Sequence, residues 1–363
     1  MAVPSRADSD SDDSQDEGLG AFLQEPEGYR PATPPPTVRT YERRKYGGIG
    51  PLVGDRQVQV GLVSGHPLWG HILYPAAIAL ARFLELHADS LLRGSESGRN
   101  GKNVLELGAG GGLPGLVAAL EGARKVVITD FPDPALVKNL EKNVDMNIDA
   151  IRVNDPIARE SIAATRAAGF TWGSSPANLF DLLTSDNDAP GADASDRTTS
   201  QGGPSSSSSP SSSKFDLILL SDLVFNHSQH LALLKTCLSC LAPPPSPSSS
   251  PSSPSSTLSR PPPPTTTTTS TSSSSSRTVP SVDLSCDSDE GTATTPAVLC
   301  FFSHHRPKFV EADLGILSLA RENGWRVTKV WEDQEAGPAF PEDDGDLTIR
   351  GTVHGFMFTR PSS

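Results

Sequence analysis

The chain has little with which to build several familiar kinds of protein. Four cysteines in 363 residues (Cys237, Cys240, Cys286 and Cys300) are too few for a disulfide framework. The opening stretch, MAVPSRADSD, has no apolar segment of the kind that directs secretion. No apolar run is long enough to span a bilayer; the best, Ile72 to Leu84, is interrupted by Pro75 and Arg82. A reducing, cytoplasmic setting is therefore expected, with no membrane partner. Positive charge is also short: 30 Lys and Arg stand against 43 Asp and Glu, a formal net charge of −13. That balance argues against direct nucleic-acid binding and suits a basic protein segment as partner. Some of the acidity sits in an N-terminal tail (Asp8, Asp10, Asp12, Asp13, Asp16, Glu17), which weakens its bearing on any working face. Hydrophobic residues, at 36%, are too few for a chain that folds from end to end.

Serine, proline and threonine are in excess instead. Residues 1–39 are acidic and then proline-rich, and read as a disordered arm. Two further low-complexity stretches, at about 184–213 and 243–295, read as solvated insertions, because they cannot bury enough apolar surface to offset ordering entropy. Without them the domain at 40–361 keeps roughly 240 residues, a size suited to one α/β domain.

Between these tracts the pattern alternates. Helical spacing covers 75–87, a stretch that follows the glycine-rich turn and runs through about Leu120, 134–147, about 228–241 and 308–323. Short apolar runs read as strands at Asn103–Leu107, Lys125–Asp130, Ile151–Val153, Phe215–Ser221, Pro296–Ser303, Trp325–Glu332 and Thr348–Phe358. Alternation of this kind predicts a mostly parallel sheet with helices on both faces. No helical pattern separates the last two strands, so one of them is expected to run antiparallel.

The sharpest signal is VLELGAGGGLPGL, Val104 to Leu116. A buried strand runs straight into glycines and then a helix. Gly108 and Gly110, with Ala109 between them, allow a sharp turn and close approach of a ligand to the main chain. Dinucleotide-binding enzymes share that architecture. Three details separate this chain from them. Glu106 stands where a dinucleotide site has an apolar residue, and counts among the candidate cofactor-binding residues. Leu113 stands where the third glycine should fall. The Gly110–Gly112 run with Pro114 suggests a wide turn around an amino-acid moiety. Asp130 ends the next strand and is placed to accept both hydroxyls of a ribose; Asp133 suits the helix cap better.

These residues resemble the first two motifs of the class I methyltransferases, with a Rossmann-like seven-stranded sheet. Three more segments sharpen the resemblance: LWGHILYPA (Leu68 to Ala76), GFTWG (Gly169 to Gly173) and LLSDLVFNH (Leu219 to His227). Together they are similar to the family-16 protein methyltransferases. Within that group they are most similar to the fungal elongation factor 1-alpha N-terminal and lysine methyltransferases. The resemblance implies S-adenosylmethionine as cofactor. It implies that Trp69 closes over the cofactor, Gly108 to Gly110 approach its methionine part and Asp130 takes its ribose. Trp172 is then the residue stacked near the adenine, and Ser221 lines the same pocket. It implies an acceptor too, the Gly-Lys N-terminus of processed elongation factor 1-alpha.

Asp222 and Phe225 match the acidic-x-x-aromatic signature after the fourth strand. Methyl transfer to nitrogen needs a neutral, aligned amine. A carboxylate can take its proton, and an aromatic face tolerates the cationic product. At pH 7 deprotonation costs about 1.2 kcal/mol for an α-amine and about 4.6 for a lysine. With Asp222 as the one firm candidate base, the α-amine asks less of the site. Other readings are a small-molecule acceptor such as nicotinamide, a nicotinamide-dependent oxidoreductase, and a non-catalytic binding module. Cys237 and Cys240 lack a second ligand pair and read as core thiols, so no metal site is expected. His304 and His305 follow the fifth strand and read as a polar loop that could border the substrate pocket.

Overall fold

The computed structural model describes residues 36–43, 57–64, 70–93, 101–150, 161–162, 164–184, 214–244 and 294–360. In chain order the described elements begin with strands β1 (Thr37–Glu42) and β2 (Gln57–Leu62), then helices α1 (Pro75–Leu86) and α2 (Ala88–Leu91). Strand β3 (Asn103–Leu107), helix α3 (Leu113–Leu120), strand β4 (Lys125–Asp130), helix α4 (Pro134–Ala150), strand β5 (Arg166–Gly169) and helix α5 (Ala177–Thr184) follow. The rest are β6 (Leu217–Ser221), α6 (His230–Cys240), β7 (Ala297–Ser303), α7 (Val310–Glu322), β8 (Arg326–Asp333), α8 (Leu347–Gly351) and β9 (Val353–Thr359).

Seven strands form one sheet in the order β5-β4-β3-β6-β7-β9-β8. The pairs from β5 through β7 are parallel, and β9 runs antiparallel to both β7 and β8. This is the expected Rossmann-like sheet with its reversed terminal strand. Period-two alternation divides each central strand between two cores. Leu217 and Leu219 of β6 face the side holding Leu80, Leu84, Leu116 and Leu140, from α1, α3 and α4. Ile218 and Leu220 face the side holding Leu179, Leu233, Cys237 and Ile316, from α5, α6 and α7. Burial on both faces explains why β3 and β6 read as unbroken apolar runs with every residue buried.

The structure differs from the sequence-based expectation at several places. β1 starts at Thr37, inside the stretch read as a disordered arm, and pairs antiparallel with β2 from Thr37↔Leu62 to Glu42↔Gln57. The last strand begins at Val353 rather than Thr348. Asp346 accepts from the amides of Thr348 (2.8 Å) and Ile349 (3.2 Å) and caps α8 across the residues read as strand. The strand beside β4 is Arg166–Gly169; the expected strand at Ile151–Val153 lies outside the described residues. So do most of the two low-complexity stretches. Among the described residues, no helix is long and apolar enough to cross a membrane.

Candidate functional site

The site gathers at the carboxyl ends of β3, β4, β6 and β7, where an open α/β sheet leaves a crevice. The turn after β3 holds Gly108 at φ 60° and Gly110 at φ 57°, in the left-handed region that side-chain-bearing residues avoid. Ala109 N–H donates to Thr129 O at 2.9 Å. Gly110 N–H donates to Asp130 Oδ2 at 2.7 Å, and Phe131 N–H to Oδ1 at 2.7 Å. The turn is thereby fixed to the end of β4. Asp133, as expected, caps α4 by accepting from Ala135 N–H at 2.8 Å.

A cavity of about 470 Å³ opens above this turn. Gly108, Ala109 and Gly110 form part of its lining, and so does Asp130. Trp172 and Ser221, also expected here, line it too, and Asp222 and Phe225 lie at the same cavity. A Cβ added to Gly110 would meet nothing within 4 Å, so that wall stays open to a ligand. At Gly108 an added Cβ would come within 2.6 Å of Leu223 Cδ2 and 3.1 Å of Trp172 Cζ2. Trp69 lies outside the described residues. Glu106 corrects the sequence reading. It is fully buried and does not line the cavity; its Oε2 accepts from Gly115 N–H at 2.8 Å, inside the start of α3. Burial, opposed by the Gly115 contact and helped by the charge of Asp130, leaves its pKa raised to about 8. Glu106 supports the turn and does not reach the ligand space.

Asp222 is the one non-glycine residue with positive φ (58°) among those described. Such strain persists where surrounding contacts enforce it. Its N–H donates to Phe301 O at 2.8 Å, and its Oδ1 accepts from Ser303 N–H at 3.3 Å. His305 Nε2 lies 3.1 Å from the same oxygen. The other oxygen, Oδ2, is buried without a hydrogen-bond partner. Burial disfavours the charged form of His305, but Asp222's charge and contact, helped by Asp313 and opposed by Arg350, leave its pKa raised. Tyr74 also lines the cavity; burial, then the charge of Asp222, raise its pKa.

A second cavity of about 410 Å³ adjoins the first and shares Tyr74 and Phe225 with it. His227, His305, Phe309 and Phe340 line it. Buried Asp313 accepts contacts from His227 Nε2 (2.7 Å) and His304 Nδ1 (2.8 Å). The two histidines read as a polar loop are thus a buried strut (His304) and a partner of Asp222 (His305). Tyr74 lay within a quoted segment but was not singled out. Phe340 sits in a loop with no periodic signal. Cys237, Cys240 and Cys300 are buried free thiols, as core residues should be, and burial pushes Cys240 and Cys300 up to about 12. Among the described residues no cluster could hold a metal ion.

Sheet order and crevice together define a class I methyltransferase. A family profile described as lysine methyltransferase matches residues 64–163. Longer similarities cover nearly the whole chain. The protein N-terminal and lysine N-methyltransferase efm7 of Schizosaccharomyces pombe is 31% identical over 353 residues, spanning 96% of this chain and 98% of that one. The EFM7 enzyme of Cryptococcus neoformans var. neoformans is 34% identical over 347 residues, spanning 94% and 88%. The chain belongs to this family of protein N-terminal and lysine N-methyltransferases, and it is an enzyme that methylates protein.

Proposed function

We propose that the larger cavity binds S-adenosylmethionine, and that the enzyme methylates the N-terminal glycine α-amine and the adjacent lysine of elongation factor 1-alpha. A cytoplasmic location goes with that acceptor, a translation factor. The residues present suit the cofactor. The open backbone at Gly110 admits the amino-acid end, the Asp130 carboxylate suits a ribose, and the Trp172 indole offers a face for a base. Trp69 belongs to the same reading as a cover. Bound there, the cofactor supplies an electrophilic methyl group on a sulfonium.

The observation that carries the reading is the orphaned Oδ2 of Asp222, a residue that lines the larger cavity together with Phe225 and Tyr74. A buried acceptor without a donor costs about 1–3 kcal/mol, and an incoming ammonium can supply the missing N–H. Phe225 is 46% exposed and offers its ring face to a cationic methylated product. The lower cost of neutralising an α-amine, about 1.2 against 4.6 kcal/mol for lysine at pH 7, favours the terminal amine as first target.

The test is transfer of label from methyl-labelled S-adenosylmethionine to a peptide beginning Gly-Lys, with nicotinamide as the parallel acceptor. Label on the peptide, lost when both amines are blocked, is the expected result. Label on nicotinamide alone, or on neither, overturns the acceptor assignment.

A further inference from the structure

We infer that the second cavity receives the amine-bearing end of the acceptor polypeptide, and that His305, held on Asp222, takes the proton from the amine there. This rests on the methyl-transfer reading above; it adds an entry site and assigns the proton to His305 rather than to Asp222 itself.

The first support is geometric. The two cavities share Tyr74 and Phe225, so a nitrogen entering through the second cavity reaches the first between those rings, beside Asp222. The walls are aromatic. Phe225 and Phe309 are 46% and 38% exposed, and faces of this kind attract ammonium groups. Asp343 and Asp313 also line the cavity, with Arg306 as the opposing charge.

The second support is the placement of His305. Its ring packs in a three-ring cluster with Tyr74 and Phe340, each 5.5 Å away by ring centres and 6.2 Å from each other. With Nε2 lying 3.1 Å from Asp222 Oδ1, Nδ1 is the ring nitrogen left to accept a proton. Arg350, 1% exposed, holds this wall together. Its Nε donates to His305 O at 3.2 Å, and its two terminal nitrogens donate to the carbonyls of Phe340 and Asp343. One buried guanidinium thus positions the base and the opposite aromatic wall.

The proton balance is simple. The ammonium N–H bond breaks, its electron pair stays on the acceptor nitrogen, and the proton forms an N–H bond on the imidazole. The charge gained by the ring is set against the Asp222 carboxylate. Several groups face the ring: Asp222 from the end of β6, Tyr74 ahead of α1, Asp313 from α7, Arg350 from α8, with His227, Arg306 and Asp343 around the cavity. Burial works against the charged ring, but the charge and contact of Asp222, with Asp313 helping and Arg350 opposing, leave its pKa raised above the ordinary histidine value.

The test uses the full chain and two variants, His305→Gln and Phe340→Ala, each checked first for an unchanged melting profile and unchanged S-adenosylmethionine affinity. Glycyl-lysinamide is titrated into the protein while the His305 ring proton is followed by NMR, assigned by its loss in His305→Gln. The expected result is a saturable shift of that proton, with binding weakened about tenfold or more in Phe340→Ala. In transfer assays with the Gly-Lys peptide, His305→Gln should lower kcat by about 100-fold near neutrality. The deficit should shrink as pH rises and the amine arrives neutral, which a merely structural role for His305 does not produce. A wild-type kcat that climbs through a pKa above the ordinary histidine value, with that limb absent in His305→Gln, completes the expectation. An unmoved His305 signal, or binding indifferent to Phe340→Ala, overturns the entry site even if the peptide is methylated. A deficit constant with pH overturns the base. A moving signal without peptide methylation leaves the entry site standing and removes elongation factor 1-alpha as acceptor.

Discussion

Two glycines two residues apart answer to different constraints. Gly108 and Gly110 are both left-handed, and a side chain there costs about 1–2 kcal/mol from the backbone alone. At Gly108 the new Cβ also runs into Leu223 and Trp172, adding about 1–3 kcal/mol of overpacking. At Gly110 it enters open space. Gly108→Ala should therefore destabilise by about 2–5 kcal/mol, measured by chemical denaturation. Gly110→Arg should lose only about 1–2 kcal/mol of stability, yet weaken S-adenosylmethionine more than tenfold (over about 1.4 kcal/mol) by calorimetry. Undiminished affinity in Gly110→Arg contradicts the placement of the cofactor. Much of this cavity was legible in the sequence, because its residues sit where strands end and the chain must turn: Gly108, Gly110, Asp130, Ser221 and Asp222. Glu106 was misplaced because a strand residue's carboxylate can point under a turn as easily as over it. His305 was undervalued because its partner, Asp222, lies more than eighty residues away and only the β6–β7 pairing unites them.

The helix α4 shows what periodicity alone conceals. Asn139, Asn143 and Asn147 recur every four residues, so they share one face. That face serves β2, whose opposite neighbour is β1. Asn143 accepts from Gly61 N–H and donates to Gly61 O, each at 2.8 Å; Asn147 does the same for Gln59 at 3.0 and 2.8 Å. Asn139 adds a second donor to Gly61 O at 2.8 Å. The amides act as an additional strand for β2. Asn143 also donates to Gly111 O at 2.9 Å, so the same side chain joins the hairpin to the glycine turn. Asn143→Leu should orphan Gly61 N–H and Gly111 O, destabilising by roughly 2–4 kcal/mol. Urea denaturation would show it, and faster hydrogen exchange at Gly61 would locate it; a stability change below about 0.5 kcal/mol contradicts the role. Neither β1 nor β2 was read from the sequence. QVQVGL alternates as a half-buried strand should, but it lies apart from the βα repeats that set the expectation. The sheet's own strands were legible because burial on both faces leaves continuous apolar runs, while β5, partly exposed along its length, gave only RAAG and was missed.

At the scale of the whole molecule, the two low-complexity stretches have a defined relation to the site. The described chain stops at Thr184 after α5 and resumes at Lys214 before β6; it stops again at Pro244 after α6 and resumes at Thr294 before β7. Both are helix-to-strand connections. In parallel strands such connections return to the amino edge, whereas the glycine turn, Asp130, Asp222 and His305 all follow the carboxyl ends. The insertions therefore leave and rejoin the fold on the edge away from both cavities. Chain length there is also cheap, since closure entropy grows only with the logarithm of loop length. Removing Ser246–Ser285 should, if anything, stabilise the fold by about 1–1.5 kcal/mol through the shorter loop. The melting temperature should stay level or rise by a few degrees, and S-adenosylmethionine affinity should change by less than about twofold. A fall of many degrees would mean that the tract packs on the domain. Unchanged melting with weakened cofactor binding would mean that it reaches round to the carboxyl edge, which the topology gives it no short route to do.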